Sequence, residues 1–457
     1  MTFLKDLNQT DRTRLGQELH NFAADLFPIC RSITGNGLRE TLGLIKRHIP
    51  LQTFEVPTGA QIFDWNVPKE WNIRDAYIAA PGGKRVVDFR KCNLHIMNYS
   101  IPVHTTMPLS ELKPHLFTIP ERPDWIPYRT SYYKEDWGFC LSHNQMLALK
   151  DGEYEVCVDS TLENGHLTYG ECYLPGQSTD EILISSHACH PSLANDNVSG
   201  LTVATFLAKF LSGRDLRYSY RFEFVPATIG ALTWLARNRE AVGRIRHGLV
   251  LTCIGDAGGF HYKKTRRGNA DIDRAAAHIL RHSGESAEIL EFSPYGNDER
   301  QYCSPGFNLP VGCLTRSLWE TFPEYHTSAD NLDLVRPQPL AGSLLVCAAI
   351  LDVLENNRCY RNEFPYGEPQ LGRRGLYHST GGEAGGEEIM ARLWVLNLSD
   401  GKHSLLDIAE QSGVLFSTLC EAADLLCQKG LLSIVPNGAG EGTTLGEPSR
   451  EDGSHRP

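Results

Sequence analysis

No stretch of this 457-residue chain approaches the roughly 18 consecutive apolar residues needed to cross a bilayer, so no membrane-spanning protein is expected. Cys-x-x-Cys pairs are missing as well. The 13 cysteines lie singly between Cys30 and Cys427, and such an odd, unpatterned set reads as reduced thiols, many of them small core residues. Positive charge is in short supply: 44 Lys and Arg against 55 Asp and Glu leave a formal charge of −11, which argues against a surface that coats nucleic acid. The N-terminus, Met-Thr-Phe-Leu-Lys-Asp-Leu-Asn-Gln-Thr, turns polar and acidic too early for a secretory signal. These absences together point to a cytoplasmic protein.

What is present is enough chain for two or three domains. Residues 10–27 and 38–48 have helical spacing, with Cys30 to Gly37 a Gly-rich turn between them. Arg31 in that turn reads either as an anion contact or, more simply, as a stem packed against its neighbours. From 61 to 160, short strand-like runs are broken by prolines and aromatics, which predicts an inserted β-rich domain. Its aromatic cluster, Ile126 to Tyr133, is either packing between domains or a wall of a substrate pocket. Residues 1–60 and 161–360 supply strands alternating with helices of 10 to 15 residues, the pattern of a doubly wound, mainly parallel α/β sheet. A linker is expected over 361–387. Residues 388–436 then give a helix, a helix-turn-helix and a strand, the outline of a winged helix. Its second helix carries Glu421, Asp424 and, at its end, a single lysine, Lys429, so packing or homo-oligomerisation is expected there in preference to DNA binding. The tail, 437–457, is Gly-, Ser- and Glu-rich and is expected to be disordered.

Chemistry concentrates after a buried strand, Ile182 to Ser185. His187, Cys189 and His190 follow where it ends, and Asp196-Asn197 stand just before the helix Val198 to Leu211. Ligands collect at the carboxyl ends of strands in such sheets. An Asp-Asn in this position is ordinarily a helix cap; two imidazoles beside it suggest a metal. His326 supplies another ligand type, in the polar loop Pro323 to Asn331, which has no apolar face to bury an imidazole. Two histidines and a carboxylate from separate loops match a catalytic zinc with one open position.

His187 to Gly200 together with Tyr325 to Asp330 resembles the co-catalytic zinc aminopeptidases. More closely, the chain resembles a bacterial aminopeptidase-like family of uncharacterised function. The closer match is carried by Cys30 to Gly37, Ser131 to Cys140, His190 to Gly200, Pro226 to Gly230, Asn297 to Tyr302 and Tyr325 to Asn331. The resemblance implies a zinc-aminopeptidase-like α/β domain, an inserted swivelling domain, a C-terminal winged helix and a link to polysaccharide biosynthesis. His187 fits the strand-end register as the first metal ligand and His190 fits the closer family, so both stand beside Asp196 and His326.

Departures from the pattern are specific. Where aminopeptidases place two adjacent glutamates, a general base and a ligand, this chain has Ala227 and Thr228. Where they place a metal-binding aspartate it has Thr252-Cys253, with Asp256 further on, and the aspartate of the His-x-Asp motif is Cys189. One zinc is therefore expected, and a second site lacks its carboxylates. Glu299 or Asp298 is the candidate base, with Tyr325 or Arg300 the candidate oxyanion donor. The resulting expectation is a zinc hydrolase acting on a small amide, aminoacyl or sugar-amide substrate. Its alternative is a non-catalytic, peptidase-fold binding or regulatory protein that uses the winged helix for dimerisation or DNA contact.

Overall fold

The computed structural model describes residues 11–376 and 386–435, which form two compact units, Met1–Glu355 and Asn356–Pro457. The Gly381-Gly382 pair of the expected linker and the tail from 436 lie outside the described residues.

The first unit is built on eight strands: β1 (Gln52–Pro57), β2 (His166–Leu174), β3 (Glu181–His187), β4 (Ser219–Val225), β5 (Ile245–Leu251), β6 (Phe260–Lys263), β7 (Ala287–Leu290) and β8 (Val311–Thr315). Their order across the sheet is β1-β2-β4-β3-β5-β8-β6-β7. The centre, β4-β3-β5-β8, is parallel. Every residue of β3, β4 and β8 is buried, as a strand covered on both faces requires. The flanks turn antiparallel, with β1 on β2, β2 on β4 and β6 on β8. Strands β1, β6 and β7 escape the sequence pattern because they are short or exposed.

Helices α1 (Arg12–Leu26) and α2 (Asn36–Ile45) precede the sheet, and α3 (Gly200–Leu211), α4 (Ile229–Arg237), α5 (Asp271–His282) and α6 (Pro337–Asn356) connect or follow its strands. Among the described helices, α6 alone is long and apolar enough to cross a membrane by length and composition, and 67% of its most apolar window is buried inside the fold. Gln338, Ser343 and Asp352 interrupt its apolar run, and its burial is that of a core helix.

Residues 70–163 hold a separate four-stranded antiparallel sheet made of Glu70–Ala79, Arg85–Asp88, Val103–Pro108 and Glu153–Glu163. Along residues 153–160 of the last strand burial alternates residue by residue, which gives it one inward face carrying Tyr154, Val156 and Val158. That face does not close a core of its own. Trp71, Ile78, Phe139 and Val156 belong to the same apolar cluster as Leu183, Val250 and Val311 of the large sheet.

In the second unit, β9 (Cys359–Asn362) lies between β10 (Asp400–Ser404) and β11 (Leu432–Ile434), with helices α7 (Glu387–Leu398), α8 (Leu405–Ser412) and α9 (Phe416–Gln428). Arg361 and Asn362 thus belong to a strand where the sequence suggested a linker; four residues are too few to show a period. Ser404 and Asp407 form a reciprocal cap at the start of α8, and Gly413 ends it at φ 70°. Helix α9 buries Phe416, Leu419, Ala423 and Leu426 along one side.

Candidate metal centre

Strand β3 delivers His187 at its last residue, and the loop beyond it carries His190 and Asp196 to the same point. The backbone at Asp196 and Asn197 is not helical, so α3 starts only at Gly200. The work of the Asp-Asn pair is divided. Asn197 Oδ1 accepts from Gly200 N–H at 3.2 Å, and its amide donates to Ser186 Oγ at 3.0 Å. Capping therefore falls to Asn197 and leaves the Asp196 carboxylate to face the histidines. Gly200 is required here, because a Cβ would stand 2.3 Å from Asn197 Oδ1 and 2.5 Å from the Leu251 carbonyl.

Around Asp196 the imidazoles converge. His187 Nε2 lies 2.9 Å from Oδ1, His326 Nε2 lies 3.0 Å from Oδ2, and His190 Nε2 lies 3.8 Å from Oδ2. Burial works to raise the Asp196 carboxyl, but His190, His187 and His326 outweigh it and hold the group well below its ordinary range. Burial pushes the His190 imidazole down to about 3 against the pull of Asp196. Tetrahedral zinc with bonds of about 2.0–2.1 Å holds its ligand atoms roughly 3.3 Å apart. The ligand atoms of His187, His190 and Asp196 lie within 4.8 Å of one another, and His326 meets the same carboxylate, so this donor set fits such an ion.

The surrounding residues fix these side chains. Asp330, buried, accepts the N–H of Asn195 at 2.5 Å and of Asp196 at 3.0 Å. Asn195 in turn donates to Asp256 Oδ2 at 2.6 Å. Cys189 Sγ sits 3.4 Å from His190 Nδ1, and burial pushes its thiol up to about 12. Arg31 is no anion contact: its Nε donates to the His190 carbonyl at 2.8 Å and its Nη1 to the Leu26 carbonyl at 2.6 Å. Ser192, Thr228, Cys253 and His326, none of them glycine, all have positive φ. Backbone held in that region concentrates at functional sites.

A contributor that sequence reasoning had not singled out is Tyr128. Its ring meets His190 at 5.2 Å and His326 edge-on at 5.1 Å between centroids. Its N–H donates to the His326 carbonyl at 2.8 Å. Ser328 N–H donates to the Ile126 carbonyl at 2.8 Å, and Pro127 bridges Thr327. Residues 126–128 thus run antiparallel to 326–328 as a short ribbon. The signal in the sequence was the aromatic cluster itself, whose partner lies about 200 residues away.

The two candidate bases have different surroundings. Glu299 is fully buried, its Oε1 paired with Lys263 and accepting the Asn297 N–H at 3.2 Å, while its buried Oε2 has no partner. Asp298 gives Oδ1 to the Thr228 N–H at 2.9 Å, while its buried Oδ2 has no partner. Burial, opposed by His187 and the Thr228 N–H, pushes the Asp298 carboxyl up to about 6. Tyr325 stacks on His326 at 3.9 Å, and burial raises its phenol. A cavity of about 800 Å³ opens beside His190 and Thr228, walled in part by Trp65, Tyr132 and Tyr133.

The model of a family described as a domain of unknown function, DUF4910, matches residues 20–357, and a winged helix-turn-helix model matches residues 358–434. A Clostridium acetobutylicum protein named for polysaccharide biosynthesis and an aminopeptidase-like domain is 52% identical over 421 residues, 92% of this chain and 97% of its own length. A crystal structure from the same organism, described as a candidate peptidase, is 50% identical with a TM-score of 0.91, covering 94% of this chain and all of that one. A zinc aminopeptidase from Bacillus subtilis matches at 13% identity and a TM-score of 0.53, over 74% of this chain and 94% of its own, a likeness of fold alone.

Proposed function

The chain belongs to the DUF4910 family of aminopeptidase-like proteins, and on that premise we propose that it is a zinc-dependent hydrolase of a small amide, aminoacyl or sugar-amide substrate. The observation that carries this reading is the Asp196 carboxylate, met on its two oxygens by imidazoles 139 residues apart in sequence, His187 at the end of β3 and His326 in a later loop. Asp196, His326 and either His187 or His190 would hold one zinc with a fourth position open, and the bound ion would polarise a carbonyl and make water a nucleophile near neutral pH.

The remaining roles fall to this chain's own groups. Asp298, with one oxygen fixed by Thr228 and the other free, accepts the proton of the attacking water and returns it to the departing nitrogen. Glu299, ion-paired with Lys263 through one oxygen, positions the loop that carries Asp298. Tyr325, whose phenol stays protonated, donates to the oxygen that becomes negative in the tetrahedral intermediate.

His326→Ala should purify without zinc by elemental analysis. Asp298→Asn should keep its zinc and lose about 10²–10⁴-fold in turnover on whichever amide a substrate panel identifies. Full metal content in His326→Ala sinks the metal centre; undiminished turnover in Asp298→Asn removes the base. A regulatory, non-catalytic reading draws on Ala227 and Thr228 standing where aminopeptidases have glutamates. Any chelator-sensitive turnover excludes it.

A further inference from the structure

The cavity beside His190 has a one-sided charge. Among the described residues that line it, the permanently charged side chains are Arg266 and Arg300, and none is Asp or Glu. Arg300, half-buried, donates from Nη2 to Thr228 Oγ1 at a long 3.4 Å, and its buried Nε has no partner. Arg266, exposed at the rim, gives one nitrogen to Asn308 Oδ1 at 3.2 Å. Neither guanidinium has an ion pair among the described residues. A guanidinium lining a concave site with most of its donors unpaired suits a carboxylate or a phosphate, which it binds through two parallel hydrogen bonds. The rest of the lining is mainly apolar, with Trp65, Ile229 and Phe292 among it. The free ammonium of a peptide N-terminus would meet two cations here and no carboxylate in the lining, which disfavours it electrostatically.

We infer that the substrate carries an anionic substituent, a carboxylate or a phosphate, received by Arg300 inside the cavity and Arg266 at its mouth, with an apolar portion against the aromatic wall. This narrows the substrate class of the hydrolase and rests on that reading. The chain thereby selects acid-bearing amides over peptides with a free amino terminus.

Three probes that share one ring test it on the full-length protein: phenyl phosphate, benzoate and neutral benzyl alcohol, each titrated calorimetrically at low salt. At least one anion should bind about tenfold or more tightly than the alcohol, as charge-assisted hydrogen bonds require. Which of the two anions wins separates phosphate from carboxylate. Arg300→Gln should abolish the preference, Arg266→Gln should weaken it, and His326→Ala, lacking metal, should keep it. Equal binding of all three probes, or an unchanged preference in Arg300→Gln, overturns the inference. A preference that survives Arg300→Gln but vanishes in His326→Ala places the anion on the metal; the inference then fails while the hydrolase reading stands. An arginine-dependent preference in a protein that never holds zinc does the reverse. Should Arg300→Gln fail to fold, Arg266→Gln decides: a reduced preference supports the inference, an unchanged one overturns it.

Discussion

At the residue scale, the clustering of His187, His190, Asp196 and His326 was the legible part. Histidines and an aspartate at strand ends could be picked out because imidazole and carboxylate in a polar loop have few other reasons to cluster. What the sequence left undecided depended on partners far along the chain. Which of Asp298 and Glu299 carries an ion pair turns on Lys263, which lies in β6, a four-residue strand without a visible period. Asp330 looked like one more residue of a motif; the structure makes it the acceptor that shapes the 195–196 backbone. Asp330→Ala leaves two buried N–H groups without an acceptor and should cost about 2–4 kcal/mol in denaturant unfolding. The same variant should weaken zinc binding about 10–100-fold in a competition titration with a chromogenic chelator. Unchanged zinc affinity would show that the loop holds its shape without this carboxylate.

At the scale of elements, the strands buried on both faces and the helices between them were readable from their apolar runs, whereas β1, β6 and β7 were not. Edge strands are exposed, and their residues carry no burial signal to alternate. The joint between α2 and the inserted sheet gives a measurable consequence. Arg39 donates from Nη1 and Nη2 to the two carboxylate oxygens of Glu70 at 2.7 and 2.8 Å, and His166 N–H adds a third bond at 2.9 Å. Arg39 foremost, against the opposing effect of burial, holds the Glu70 carboxyl down at about 2. A carboxyl depressed by folding stabilises the native state above its unfolded value of about 4.3, and that stabilisation is lost as pH falls towards 2. Glu70→Gln should lower stability at pH 7 by about 1 kcal/mol, allowing for solvent screening. The gap between variant and parent should close between about pH 5 and pH 2 in thermal melts. A gap that stays constant over that range would mean the pair contributes nothing through its charge.

At the scale of the molecule, the two compact units offer separate readouts of the metal. A cation that binds only the folded state stabilises the unit that holds it, by about 4 kcal/mol when present at 1,000 times its dissociation constant. Calorimetry of the full chain should show two transitions, and a chelator should lower the one belonging to the unit that ends at Glu355 while leaving the winged-helix unit in place. Chelator shifts of equal size in both transitions would contradict a metal confined to the first unit. The division near residue 356 was close to legible, since periodicity fades after α6, but the sequence assigned 361–362 to a connector because a four-residue strand has no pattern of its own.

The ribbon between residues 126–128 and 326–328 carries a consequence for how such proteins can be altered. The loop that presents His326 is stitched through its own main chain to the region inserted before β2. Removing that region, or exchanging it for a relative's, would unpick the seam that holds His326 in place. Recombination at the borders of the insert is therefore not a modular swap, and chimeras should keep both sides of the seam from the same parent.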